Sequence, residues 1–126
     1  MKKIRITVEK TNTGYSAGAE KLPVYTAGDS LKEIRINMVD AINLHFDDPD
    51  RTVKASDLDL VLDLNSYFNH YRVINAKALS ERLGMNQSLL AQYIKGIKRP
   101  SPKQTLRIMK GINQLGKELT ELRFLI

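Results

Sequence analysis

The stretch that decides the fold of the C-terminal half is INAKALSERLGMNQSLLAQYIKGIKRPS, residues 74–101. Asn75 and Asn86 each precede an apolar pattern with helical spacing, and asparagine is a preferred N-cap because its side-chain oxygen accepts a backbone N–H. Gly84 stands where the first helix would end, and glycine adopts the left-handed conformation at no steric cost. We therefore predict two helices, 76–83 and 87–95, joined by a tight turn.

The second of these helices is predicted to be amphipathic. Its inward face is formed by Leu90, Tyr93 and Ile94. The outward side chains suit the edges of base pairs, because glutamine bonds adenine, serine bonds either class of base and an apolar group contacts the thymine methyl. These predicted reading residues are Asn86, Gln87, Ser88, Leu89 and Gln92.

Basic residues follow the reading residues along the chain. Lysine and arginine side chains bind phosphates, and so does the N-terminus of a helix such as the one predicted to begin at Pro102. The predicted phosphate contacts are Lys95, Lys98, Arg99 and Lys103.

Charge is distributed unevenly along the 126-residue chain, whose net charge is +6. Residues 1–70 contain nine Lys and Arg against eleven Asp and Glu, whereas residues 71–126 contain eleven against three. This asymmetry is typical of a protein in which one module contacts phosphates and another has a different task. Charge alone leaves open a helical bundle with a solvated basic face. The spacing of the two capped helices favours DNA binding.

Residues 74–101 resemble the XRE/Cro-type helix-turn-helix family without a gap. The resemblance implies that base-reading positions fall on Asn86, Gln87, Ser88 and Gln92. It departs from the family at Ala76, where a glutamine is common, and at Ile94-Lys95, where an acid-asparagine pair is usual.

The N-terminal half shows a different periodicity. Residues 2–10 alternate apolar and polar side chains, and two further short strands are predicted at 15–19 and 24–27. Ser30 and Glu33 form a capping-box pattern before an amphipathic helix over 31–46. Residues 58–64 alternate in a way that favours a fourth strand, although the same residues could open a helix.

This half resembles the HicB antitoxin family over roughly residues 4–46. The residues that carry the resemblance are Gly14-Tyr15, Leu22-Pro23, Thr26–Glu33, Asn37 and Ala41. It departs at residues 19–24, so no toxin-contacting residues are carried over, and they stay unknown. The resemblance implies a degraded RNase H-like β-β-β-α-β module that silences a HicA-type mRNA-cleaving toxin, with a DNA-binding part that represses the antitoxin's own operon.

We accordingly expect an α+β protein with two domains. Residues 1–64 would be the HicB-like partner-binding domain, and residues 65–126 an all-α helix-turn-helix domain of four to five helices, the last from Pro102 to about Leu115. DNA binding by such a domain favours a dimer on a palindromic operator, with Phe124-Leu125-Ile126 and the last helix as the contact. Pairing of dimers into tetramers is left open.

The composition argues against several other classes of protein. A hydrophobic content of 42% with 27% charged residues is typical of globular proteins, and no apolar run approaches the roughly 18 residues of a membrane span. The chain has no cysteine, and its only histidines are His45 and His70. Because its carboxylates are scattered, we predict no enzyme and no catalytic, cofactor-binding or metal-binding residues. The expected location is the cytoplasm, with no membrane partner.

The leading functional hypothesis is thus an antitoxin that also represses its own operon. The alternative is a stand-alone transcriptional regulator whose N-terminal module senses a ligand or another partner.

Overall fold

The computed structural model describes residues 3–126, so the first two residues of the predicted N-terminal domain lie outside the described part. The chain forms two compact units that divide between His70 and Tyr71. The predicted α+β class is confirmed by a four-stranded mixed sheet and five α-helices within the described residues.

A mixed sheet forms the frame of the first unit. Its strands are β1 (Ile4–Lys10), β2 (Tyr15–Ala19), β3 (Tyr25–Gly28) and β4 (Leu58–Leu62). They lie in the order β3-β2-β1-β4, in which β2 is antiparallel to β1 and β3 whereas β4 is parallel to β1. The parallel pair requires a crossover connection, which the helix between β3 and β4 provides.

Helix α1 (Leu31–Phe46) covers one face of this sheet. Its Ile34, Met38 and Ile42 side chains are fully buried, at the spacing of four residues that places them on one helix face. The predicted capping box is present in a modified form. Ser30 Oγ accepts from the Glu33 N–H at 3.1 Å, and Glu33 Oε2 accepts from the Asp29 N–H at 3.2 Å.

The acidic segment after α1 is packed rather than extended. Two 3-10 turns, Pro49–Arg51 and Ala55–Asp57, lie between α1 and β4. The Asn43 side chain holds the segment from both sides of Val53, because its amide donates to the Val53 carbonyl at 3.1 Å and its oxygen accepts from the Val53 N–H at 2.7 Å.

The favoured strand over residues 58–64 is confirmed as far as Leu62. Helix α2 (Leu64–His70) follows at once and contacts β1. The Lys10 N–H donates to Ser66 Oγ at 3.0 Å, and Phe68 is buried.

The domain boundary therefore lies after His70 and not, as predicted, between residues 64 and 65. The sequence had predicted that α2 is the first helix of the helix-turn-helix domain. Since the contacts of α2 are to the sheet, the second unit keeps three α-helices and one 3-10 helix, which is the lower number of the four to five helices expected.

The second unit is built from three α-helices around a small core. They are α3 (Ala76–Leu83), α4 (Gln87–Ile94) and α5 (Pro102–Thr120), with the 3-10 helix at Glu121–Leu125. Helix α5 runs about one turn past the predicted end near Leu115. Leu79, Leu90 and Ile108 contribute one fully or nearly fully buried side chain from each α-helix.

None of the helices in residues 3–126 is both long enough and apolar enough to span a bilayer.

Replacing Gly14 by alanine is expected to destabilise the sheet unit. The added Cβ would lie 2.4 Å from the Gly28 carbonyl oxygen and 3.0 Å from Asp29 Cα, so backbone would have to move. We expect a loss of about 1–3 kcal/mol in the free energy of unfolding, measured by urea titration with circular dichroism. The control is Gly116→Ala, which meets no atom within 4 Å inside α5 and should stabilise its helix by up to about 1 kcal/mol. A Gly14→Ala protein as stable as wild type would contradict this packing.

Candidate nucleic-acid interface

The turn between α3 and α4 is fixed by the residues that the sequence singled out. Asn75 caps α3, with its Oδ1 accepting from the Ala78 N–H at 3.0 Å. Gly84 ends α3 in the left-handed conformation, with φ 64° and ψ 33°. The Met85 N–H then donates to the Ser80 carbonyl at 2.9 Å, and the Met85 side chain is buried. The turn is therefore held by backbone bonds and by an apolar anchor.

Asn86 begins α4 as its N-cap. Its Oδ1 accepts from the Leu89 N–H at 3.1 Å. The bond uses one of the two lone pairs of this oxygen and leaves the amide N–H donors of Asn86 available for acceptor atoms on the bases.

One exposed face of α4 carries polar side chains. Ser88, Gln92 and Lys95 are exposed and follow one another at spacings of four and three residues, which places them on one side of the helix. Gln87 is exposed in the first turn, and the opposite side buries Leu90 and Tyr93.

Leu89 does not belong to that exposed face. It is partly buried, and it lies four residues before Tyr93, on the row of side chains that faces the core. The prediction that Leu89 points outward is therefore wrong in part, because its position is at the border between the two faces.

The segment after α4 folds back onto the end of the helix. Gly96 has φ +76°, a left-handed conformation that glycine adopts readily. The Gln92 carbonyl accepts from the N–H groups of Ile97 at 3.0 Å and Lys98 at 3.3 Å. These bonds bring the basic loop next to the exposed face of α4.

Ile97 is a candidate contact that the sequence did not predict. Its side chain is 73% exposed, beside exposed Lys98. Helical periodicity gives no signal for it, because it lies in a turn outside any helix. Its exposure is visible only once the loop geometry is known.

Basic side chains surround this surface. Lys95, Lys98, Arg99 and Lys103 are all exposed, as predicted for phosphate contacts. Ser101 caps α5 with its Oγ accepting from the Gln104 N–H at 3.2 Å, which sets Lys103 in the first helical turn. The sequence from residue 82 to residue 117 holds eight Lys and Arg and no acid, so no carboxylate in that segment opposes an anion.

Two arginines of the second unit have structural contacts instead. Arg107 donates to the carbonyls of Leu83 and Gly84 at the end of α3. Arg82 forms a hydrogen-bonded ion pair with Glu118, and this bond holds the pKa of that carboxyl below its ordinary value. Both contacts join α3 to α5 and stabilise the support on which α4 rests.

Comparisons with protein-family models, with curated proteins and with solved structures give no match for this chain.

Removal of the α4 cap should be measurable as a loss of stability. Asn86→Ala removes the acceptor for the Leu89 N–H, and we expect a cost of about 0.5–2 kcal/mol in urea unfolding. Asn86→Ser supplies another capping oxygen and should remain close to wild type. If alanine and serine behave alike, the hydrogen bond at the start of α4 does not contribute to stability.

Proposed function

We propose that this protein is an antitoxin of the HicB type that also represses its own operon. Its second unit binds operator DNA as a dimer, and its first unit binds and neutralises a HicA-type mRNA-cleaving toxin. The observation that carries the proposal is the capped α3–turn–α4 pair, which presents an exposed polar helix face followed by a basic loop, in a segment that has no acid from residue 82 to residue 117. The protein would act in the cytoplasm, where operator and mRNA are both present.

The dimensions and chemistry of α4 support its insertion into the major groove. An α-helix fits this groove, and the amide groups of Gln87 and Gln92 can each form two hydrogen bonds with an adenine. Ser88 adds a hydroxyl that bonds either class of base. Ile97 supplies an apolar contact for a thymine methyl or a sugar, a role that the sequence had assigned to Leu89.

The basic side chains suit the phosphates on either side of that groove. Lys95 and Lys98 flank the exposed end of α4, and Lys103 stands at the N-terminus of α5, where backbone N–H groups also favour anions. Such contacts position a protein on duplex DNA, whereas the base contacts select the sequence.

The apolar end of the second unit supports a dimer. Leu119 is 57% exposed, Leu122 is 58% exposed and Ile126 is fully exposed. Leu115 and Leu119 are four residues apart on α5, and with Leu122 and Ile126 in the segment after it they form an apolar seam. A second copy of the same chain would bury this seam and place two α4 helices on one palindrome.

The first unit supports a binding role by its architecture. Its helix-on-sheet fold and its β-β-β-α-β order are those expected of the degraded RNase H-like module of HicB proteins. Within residues 3–126 no three histidine, aspartate or glutamate side chains come together as metal ligands would.

Co-expression with the adjacent small open reading frame tests the proposal. We expect the two proteins to co-purify and the antitoxin to restore growth of cells that produce the toxin. The absence of both a complex and growth rescue would overturn the antitoxin function. DNA binding that persists in that case would favour the stand-alone regulator.

Substitutions in α4 and in the basic loop should differ in their effects on DNA binding. Gln87→Ala should relax base preference at a cost of about 1–3 kcal/mol on the cognate site, whereas Arg99→Ala should weaken binding to all sequences alike. The measurement is fluorescence anisotropy with cognate and random duplexes over a range of salt, since phosphate contacts make affinity fall steeply with salt.

Lys117→Ala is the matched control for Arg99→Ala. It removes one positive charge from α5, about 21 Å along the helix axis from Lys103 at the usual rise per residue. This variant should bind DNA almost as wild type does. Equal losses on cognate and random DNA for Gln87→Ala and Arg99→Ala would contradict the assigned roles.

Deletion of residues 120–126 should convert the dimer to a monomer, because it removes the exposed end of the apolar seam. Light scattering of the purified protein measures the mass directly. Leu31→Ser is a control that removes an exposed leucine from α1, outside the seam, and should leave the mass unchanged. A truncated protein that remains dimeric would refute this interface.

A further inference from the structure

The whole of α4 and the turn before it carry no charged side chain, since residues 83–94 contain no Lys, Arg, Asp or Glu. The cation before this stretch, Arg82, is paired with Glu118. The cation after it, Lys95, is the C-cap of α4 and lies about 12 Å along the helix axis from Gln87 at the usual rise per residue. Because the N-terminal residues of a helix in the major groove contact the base edges, Lys95 is placed for a phosphate.

The lack of charge limits the bases that this surface can select. Arginine or lysine forms the commonest specific contact with guanine, and a carboxylate can accept from the cytosine amino group. Residues 83–94 offer neither kind of side chain, so the charged groups that read a G·C pair are missing from the reading helix. The groups that remain are amides, one hydroxyl and apolar side chains.

The two glutamines of α4 are available for adenine. Gln87 and Gln92 are exposed, and within residues 3–126 neither side chain forms a hydrogen bond with another group of the protein. A glutamine amide matches adenine, because its oxygen accepts from N6 while its N–H donates to N7. Opposite guanine the same oxygen would face O6, a second acceptor, and would lose its partner. Each glutamine therefore favours adenine over guanine.

Ile97 adds a contact that only thymine offers, since thymine alone presents a methyl group in the major groove. The Ile97 N–H donates to the Gln92 carbonyl at 3.0 Å, which ties the loop to the last turn of α4. The Ile97 side chain is largely exposed. An exposed apolar side chain in a loop tied to Gln92 suits a thymine in the stretch whose adenine that glutamine reads.

We propose that the operator half-site is read as A·T base pairs through the major groove, with Gln87 and Gln92 on adenines and Ile97 on a thymine methyl. This inference rests on the proposed repressor function and specifies its ligand.

The proposed contacts make binding sensitive to methylation of adenine. When N6 carries a methyl group in a paired adenine, its remaining hydrogen is used in the pair with thymine. The methyl group then occupies the position from which N6 would donate to a glutamine oxygen. An N6-methyladenine in the half-site should therefore block that contact.

Selection from a library of random duplexes tests the base composition. The full-length protein is incubated with the library, and the bound fraction is sequenced over successive rounds. We expect symmetry-related half-sites in which the most strongly selected pairs are A·T. Half-sites in which those pairs are G·C would overturn the inference and leave the repressor function standing. If no sequence is enriched, the repressor function itself is overturned.

Base analogues in the selected duplex test the individual contacts by fluorescence anisotropy. N6-methyladenine at a selected adenine should lower the affinity about tenfold, because a bidentate pair is lost. Deoxyuridine in place of a selected thymidine removes one methyl group and should lower the affinity about fourfold. If A·T pairs are selected but neither analogue has an effect, the protein recognises the shape of A·T-rich DNA, and the proposed base contacts are wrong.

Protein variants assign each effect to a side chain. Ile97→Ala should bind thymidine and deoxyuridine duplexes alike, whereas the control Ile36→Ala removes an exposed isoleucine from α1 and should keep the difference. Gln92→Ala should become insensitive to methylation of one selected adenine. Circular dichroism shows whether the variants are folded. Variants that respond to both analogues as wild type does would overturn the assignment of Ile97 and Gln92.

Discussion

The left-handed conformation of Gly84 and the cap at Asn86 together fix the direction in which α4 leaves the turn. A side chain at residue 84 would strain the backbone at φ 64°, and loss of the Asn86 oxygen would leave the Leu89 N–H without its acceptor. Leu90 and Ile108, both fully buried, then hold α4 and α5 in the core of the second unit. The exposed face of α4 and the adjoining basic loop depend on this geometry.

Five basic residues of the second unit fall into two sets that differ in their contacts. Arg82 and Arg107 are engaged with α3 and α5, where they satisfy a carboxylate and two carbonyls. Lys95, Lys98 and Lys103 are exposed next to α4. Net charge alone does not distinguish these sets, since both contribute to the excess of positive charge. The acidic first unit has the opposite tendency, which is consistent with two binding surfaces for two partners of unlike charge.

Local signals made the helix pair α3 and α4 predictable, whereas non-local contacts did not follow from the sequence. The caps and the glycine turn around α3 and α4 depend on neighbouring residues, so the sequence located both helices to within a residue. Helix α2 was assigned to the wrong unit because its position depends on the bond from Lys10 to Ser66, made across 56 residues of sequence. Leu89 was assigned to the exposed face because polar residues precede it in the sequence. That pattern gives no sign that Leu89 borders the buried side of α4. The parallel pairing of β4 with β1 left no periodic signal.

Hydroxyl-radical footprinting of the full-length protein on the DNA upstream of its own gene tests the central claim most directly. Two α4 helices in successive major grooves should protect two symmetry-related half-sites whose centres lie ~34 Å apart, one turn of the duplex. A single protected segment, or uniform protection that shows no preference for sequence, would contradict the proposal that this protein reads a palindromic operator as a dimer.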